Sequence, residues 1–484
     1  MNNRLTKDIF ILLAPVLFVF FWIYQPLNAT IETNKMMGIV LWMAIWWMTE
    51  CVHLAVTSLL PIVLLPLAEI CSVKEVTREY GDSIIFLFLG GFLISIAIEK
   101  WHLHYRIARV ILYFTGTSIQ GILGGIMVST FLLSNWISNT ATALMMFGVV
   151  MALVKSFEES FNKQEHQWFA SALLLGMAYA ASIGGMATPV GTPPNMYFFK
   201  MYPKWMPENF HISFAQWMGY FFPLSVLILI GCYVILQILF LNKIRSQIKI
   251  NAIKDTFQIS KMRYEEKVIA IVFCITIILW LTKDGWNFGF LNIKGWKMLF
   301  HHSDYLDDSV VAIGMSVLLF LIPSKQNKGK KILEWNDVKQ LKYEILLLFG
   351  GGFALAYGFE KSGLIHYLVE QLEFVKALSP FWLVLIISTV VVVISEFASN
   401  IASIQLALPV IIAMISHYSL DIQIKLLFPC VLSASVGFML PIATAPNTIA
   451  FGSGYVSLKS FLKAGFWLDI FCIFVISLYC YFVL

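Results

Sequence analysis

Charge is what this sequence has least of. Only 13% of its 484 residues are Asp, Glu, Lys or Arg, against 59% hydrophobic, whereas soluble domains carry roughly 25% charge. A soluble globular chain is thereby excluded. Ten-residue segments of alternating polarity are also missing, which excludes a transmembrane β-barrel. The seven cysteines, Cys51, Cys71, Cys232, Cys274, Cys430, Cys472 and Cys480, lack metal-ligand spacing and sit in or beside apolar segments, as packing residues do. No small-x-small cleavage site follows the first apolar run. Arg4 and Lys7 precede that run and Tyr24-Gln25-Pro26 ends it, so it reads as a retained span rather than a signal peptide. The net charge of +5 resides in loops without interleaved aromatics, so no nucleic-acid partner is implied. The longest polar stretch, 242–267, is too short for a receptor domain.

What is present is a series of apolar runs, among them 9–24, 37–51, 54–70, 84–98, 168–190, 217–241, 267–282, 309–323, 343–358 and 462–484. They predict an all-α polytopic membrane protein embedded in a lipid bilayer. The chain also says the same thing twice. FLGGFLISIAIEK at 88–100 is matched by FGGGFALAYGFEK at 349–361, and Ser138-Asn139-Thr140-Ala141-Thr142 by Ser399-Asn400-Ile401-Ala402-Ser403, both at an offset of 261. Gly191-Thr192-Pro193-Pro194-Asn195 meets Ala443-Thr444-Ala445-Pro446-Asn447 at an offset of 252. Paired polar motifs in apolar sequence point to a transporter whose site lies between two repeats.

Two pairs of runs, 118–133 with 138–154 and 380–396 with 401–416, are short for a full crossing of about 30 Å. Each pair predicts a re-entrant hairpin, with tips at 134–138 and 397–400. Proline-containing motifs interrupt two further runs, so those helices unwind midway. The expected organisation is an N-terminal span and outer loop (1–35), a first repeat (36–241; hairpin 118–154, broken helix 168–205), a basic linker (242–266) and a second repeat (267–484; hairpin 380–416, broken helix 424–458). The linker carries Lys243, Arg245, Lys249, Lys254, Lys261 and Arg263, and 324–342 carries Lys325, Lys328, Lys330, Lys331, Lys339 and Lys342. Placing both inside predicts about eleven spans plus two hairpins, a cytoplasmic N-terminus and an external C-terminus. An odd number of crossings per half makes the repeats inverted. Segments 99–117 and 360–378 read as surface amphipathic helices, whose histidines suit wet interfaces or pH sensing.

An interrupted helix offers N–H groups and partial positive charge where its second half begins, and free carbonyls where its first half ends. Two inverted copies suit a small doubly charged anion accompanied by hard cations. Ser138, Asn139, Thr140, Thr142, Ser395, Ser399, Asn400 and Ser403 supply polar groups at the tips, and Thr192, Asn195, Thr444 and Asn447 at the breaks. None of these four segments contains lysine or arginine, so co-bound cations are the simplest neutralising agents. Helix–helix hydrogen bonding alone explains a single such motif, but less readily four in register. Glu396 is read as the lone intramembrane acid there. It serves either as a proton or cation site or as a support for hairpin N–H groups. Glu50 is expected to fix helix packing at a membrane boundary.

The strings WISNTATALMM, SEFASNIASIQLALP, GTPPN and FMLPIATAPN, with WWMTECVHLAVTSLLPIVLLPL, closely resemble signatures of the divalent anion:sodium symporter family, from about residue 36 onward. That resemblance implies a homodimer in the cell (inner) membrane, elevator-type movement and Na⁺-coupled uptake of a dianion. A C4-dicarboxylate such as succinate or malate is the first expectation. Carried over, Asn139 and Thr140 contact one carboxylate, Asn400 and Thr444 the other, and Thr192 adds a hydroxyl. One Na⁺ site comprises Ser134, Ser138, Asn139 and Gly191; the second comprises Ser395, Ala398, Asn400 and Ala443. Glu396, Asn195 and Asn447 support them from behind. Ile401 and Ala445 depart from the pattern and make the two ends unequal. Sulfate or citrate symport and Na⁺-independent exchange remain as alternatives. A membrane enzyme lacks support, since no activated nucleophile or acid–base pair is visible.

Overall fold

The computed structural model describes residues 2–115, 118–206, 212–244, 261–287, 292–372, 378–416 and 418–484. Most of the basic linker, including Arg245, Lys249 and Lys254, lies outside them. So do the ends of the two amphipathic segments, at 116–117 and 373–377.

The helix Lys163–Met186 runs through the centre of the molecule. Every residue from 169 to 192 is buried, as expected for a helix that is apolar all round. Around it pack the hairpin arms Ile119–Ser134 and Asn139–Ser156 and the closing helix Phe214–Leu239. Small residues permit the close approach: a Cβ on Gly184 would sit 2.5 Å from the Phe131 carbonyl oxygen. The second half repeats the order. After Tyr264–Thr282 and Asp308–Leu321 comes the span Tyr343–Lys361, followed by a surface helix Leu364–Gln371, hairpin arms Pro380–Phe397 and Asn400–Ile415, the helix Leu420–Ser433, a break, Ala445–Gly452, and the closing helix Leu458–Phe482. The first-half counterparts of Tyr343–Lys361 and Leu364–Gln371 are Ser83–Lys100 and the amphipathic Leu103–Thr115. The repeats meet through equivalent residues: Phe88 and Phe349, 261 positions apart, stand with ring centroids 4.5 Å apart.

This is a multi-pass membrane protein of two inverted repeats, with spans and paired re-entrant hairpins. Among the described residues, seven helices are long and apolar enough to cross a membrane. Two of these, Asn139–Ser156 and Pro380–Phe397, are hairpin arms. Shorter or more polar helices complete the set. Large apolar side chains stand exposed on the outer faces, for example Leu12, Ile230, Ile238 and Phe474, as lipid contact requires.

Two expectations need correction. The run 54–70 is not one helix but Leu54–Thr57 and Leu60–Leu67, the second with Pro61 in its first turn. Glu50 does not fix packing through its carboxylate. It is an exposed cap residue in the left-handed region (φ 45°), and its carbonyl accepts from Lys7 Nζ at 3.0 Å. A short ribbon, Gly285–Asn287 paired antiparallel with Asn292–Lys294, interrupts the otherwise helical fold.

The adjacent glycines of the first repeated motif are not equivalent. A Cβ on Gly90 would lie 2.5 Å from the backbone of Ala312, whereas one on Gly91 would meet nothing within 4 Å. We therefore expect Gly90→Ala to destabilise the protein by about 1–3 kcal/mol through overpacking. Gly91→Ala should be neutral or mildly stabilising, because alanine is the better helix former. Thermal unfolding of both variants in detergent checks this.

Candidate functional site

The two tips break where serine can cap a helix. Ser138 precedes Asn139–Ser156 and its Oγ accepts from Ala141 N (3.4 Å); Ser399 precedes Asn400–Ile415 and accepts from Ala402 N (3.3 Å). This N-cap geometry explains the SN motif locally. The proline motifs likewise open helices. Thr192 and Thr444 are extended N-cap residues of Pro193–Met201 and Ala445–Gly452, with proline in the first turn, where its missing N–H costs nothing. All four of these N-termini line one cavity of about 360 Å³. Its walls include Ser138, Asn139, Thr140, Thr192, Ser399, Asn400, Ala443 and Thr444. Ser138 and Thr444, 306 positions apart in sequence, are thus brought to one cavity. Partial positive charge from four helix ends converges where an anion could lie.

Behind the cavity stand two matched oxygen clusters. In the first, Asn139 Oδ1 lies 2.8 Å from Ser134 Oγ, 3.0 Å from Ala181 O and 3.3 Å from Gly191 O. Ser134 Oγ is also 2.6 Å from Ala181 O. One hydroxyl hydrogen cannot serve all these oxygens. Either the Asn139 amide turns its Nδ2 toward them, or a hard cation sits among them. Such an all-oxygen set suits a hard cation. In the second, Ser395 Oγ is 3.1 Å from Asn400 Oδ1 and 2.9 Å from Ala434 O. Ala181 and Ala434 were not anticipated; backbone carbonyls carry no sequence signal. Ser138 and Ala443 line the cavity. Ala398 is a buried, extended C-cap.

Close packing maintains the first cluster. A Cβ on Gly191 would come 2.5 Å from Gly185 O, and one on Gly185 would strike the Asn139 amide. The unwound carbonyls are held by asparagine. Asn195 Nδ2 donates to Gly185 O (3.1 Å) and Thr188 O (2.8 Å), and Asn447 Nδ2 donates to Gly437 O (2.9 Å) and Leu440 O (3.1 Å). Both asparagines leave a buried Oδ1 without a hydrogen-bond partner, as does Thr192 Oγ1.

Glu396 does not hold hairpin N–H groups. Its two carboxylate oxygens accept from Met439 N and Leu440 N, each at 2.8 Å, and so pin the unwound segment of the neighbouring broken helix. Nor is it alone. Asp469, buried in the closing helix, faces it and accepts from Phe438 N at 3.3 Å. A single acid within an apolar run was the available signal, but the pairing across 73 residues, from 396 to 469, was not legible. The cavity also receives His53, Lys342 and Glu344 from outside the four polar motifs. The absence of basic residues within those motifs therefore does not mean a cavity without one. Burial holds the Lys342 ammonium below its ordinary pKa, while the negative charges of Glu344 and Glu99 oppose that shift.

Glu396→Ala should leave two part-buried N–H groups unsatisfied, at up to about 1–3 kcal/mol each. Its thermal midpoint should fall well below that of the parent, and circular dichroism melts in detergent provide the check.

A sequence model for the sodium:sulfate symporter transmembrane region matches residues 4–482. The chain is 38% identical over 483 residues to the sodium-dependent dicarboxylate transporter SdcS of Staphylococcus saprophyticus, covering 98% of this chain and 90% of the relative. It is 36% identical over 488 residues to SdcS of Staphylococcus aureus, with the same coverage. Among solved structures it is similar to the Alcanivorax borkumensis YdaH transporter (TM-score 0.57, 12% identity, 85% of this chain and 86% of that one). It is also similar to Neisseria gonorrhoeae MtrF (TM-score 0.59, 11% identity, 91% and 96%). At such identities these two speak to fold alone. With the family match spanning nearly all of its length, the chain belongs to the sodium:sulfate symporter family, that is, the divalent anion:sodium symporters, a family of transporters rather than enzymes.

Proposed function

We propose that this protein is a Na⁺-coupled symporter of a small dianion, with a C4-dicarboxylate such as succinate or malate as substrate. The observation that carries the reading is the single cavity into which both hairpin tips and both broken helices project their N-termini. Asn139, Thr140 and Thr192 bind one end of the dianion, and Asn400 and Thr444 the other. Na⁺ occupies the oxygen clusters behind, one built on Ser134, Ser138, Asn139 and Gly191, the other on Ser395, Ala398, Asn400 and Ala443. Asn195, Asn447 and Glu396 keep the unwound backbone in register. The names of the staphylococcal relatives, at 38% and 36% identity, support both the ion and the substrate class.

The two repeats span 36–241 and 267–484. The protein lies in the inner membrane as a homodimer, with its N-terminus in the cytoplasm and its C-terminus outside. Lys342 and Glu344 begin the helix that follows a basic segment, and they line the cavity. On the positive-inside rule the cavity therefore opens to the cytoplasm, which makes this an inward-facing arrangement. Cation binding organises the tips, the dianion follows, and hairpins and broken helices move together as the elevator. Because the ions bind the organised site better than the open one, they bias the equilibrium.

Proteoliposome uptake of radiolabelled succinate, citrate and sulfate under an inward Na⁺ gradient tests this. Succinate should accumulate with Na⁺ and not when K⁺ replaces it; equal uptake in both salts rejects symport. Asn139→Ala and Asn400→Ala should each abolish uptake in folded protein. Normal transport by either removes that residue from the site.

A further inference from the structure

Among the described residues, Lys342 is a charged group lining the site cavity from outside the polar motifs, with no carboxylate within ion-pair distance. It is the cap residue of Tyr343–Lys361, an element distinct from the hairpins and broken helices. Its side chain lines the site cavity together with Asn139 and Asn400. It also lines a second cavity, of about 310 Å³, shared at Ser138 and bounded by Ser95, Glu99 and Gln340. Lys342 thus stands where a vestibule joins the binding site. Among the described residues no carboxylate lies within 4.0 Å of its ammonium, unlike Lys100 with Asp337 at 2.7 Å or Lys283 with Asp308 at 2.7 Å. Glu344 and Glu99 act on it only at longer range. Glu344 is itself half exposed and lies 3.9 Å from His53 Nε2.

A half-buried ammonium without a counter-ion costs free energy that a bound anion recovers. Hydroxyls, amides and helix ends stabilise a dianion without a fixed net charge, and the proposed cations lie behind the tips, so an ammonium on the cavity wall adds a fixed positive charge beside the anion. We propose that Lys342 is a substrate-binding residue of the proposed transporter, supplying the fixed positive charge that pairs with the dianion on the side where this cavity opens. The inference rests on the proposed dianion reading. Since Lys342 belongs to neither hairpin nor either broken helix, it meets the substrate from a separate element and adds to binding without taking part in either cation cluster.

The test uses the full-length protein in detergent with Na⁺ present. It measures the dissociation constants of succinate and of sulfate, and the thermal midpoint with and without each. Lys342→Gln should weaken both dianions about tenfold, which is about 1.4 kcal/mol, and Lys342→Glu should weaken them further. Lys342→Arg should stay within threefold of the parent. Added choline chloride should weaken dianion binding to the parent more than to Lys342→Gln, since screening acts on the charge that the variant has lost. Without dianion, Lys342→Gln should melt at or above the parent temperature, because an unpaired buried cation has been removed. A merely structural lysine predicts a lower melting temperature and unchanged affinity. Unchanged affinity in Lys342→Gln overturns the inference while the parent's binding upholds the symporter reading. If the parent binds neither dianion, that reading falls and takes this inference with it.

Discussion

Backbone groups that lose their helical partners inside an apolar slab must find others, and that constraint organises this structure. Four helices are interrupted at depth, and each interruption leaves N–H and C=O groups whose burial unpaired costs several kcal/mol. The molecule meets the demand with a small set of side chains. Ser138 and Ser399 cap the hairpin tips. Asn195 and Asn447 hold the free carbonyls of the breaks, and Glu396 holds two N–H groups that no asparagine reaches. On the proposed reading, the ligands take up what these residues leave unpaired at the cavity and the oxygen clusters, and the site is the remainder of backbone satisfaction at the interruptions.

The two halves solve this problem with different economy. In the first, Thr192 makes no capping bond and its Oγ1 is without a hydrogen-bond partner. In the second, Thr444 Oγ1 accepts from Asn447 N at 3.3 Å, and Ile401 stands where the first half has Thr140. Only the second half uses an acid, and that acid faces a second one, Asp469. The cavity is therefore pseudo-symmetric in backbone and asymmetric in side chains. Such a site can hold a dianion with unlike ends in one preferred orientation.

Much of this was legible because the chain repeats itself. A polar motif in one copy reads as helix glue; the same motif twice, in register and in apolar surroundings, marks two breaks, and the tips fall at the residues expected. Phe88 against Phe349 shows the copies meeting through matched positions. Features present once were not legible. Asp469 lies in an ordinary closing helix, and nothing in GFWLDIFCIF says it faces Glu396. Lys342 reads as one of several lysines in a basic segment, and only the fold turns it toward Asn139 and Asn400. The carbonyls of Ala181 and Ala434 belong to residues whose side chains say nothing. The ribbon at 285–294 and the split of 54–70 are local events that hydrophobicity does not resolve.

The central claim is that dianion and Na⁺ occupy one site built where the broken backbones converge. Thermodynamic linkage tests it most directly, because two ligands organising the same interruptions must strengthen each other equally. The measurement is the Na⁺ dissociation constant at increasing succinate, paired with the succinate constant at increasing Na⁺, on the purified protein. The account predicts that each ligand tightens the other by the same factor, well above one. Independent constants, with succinate bound equally well in K⁺, would contradict it.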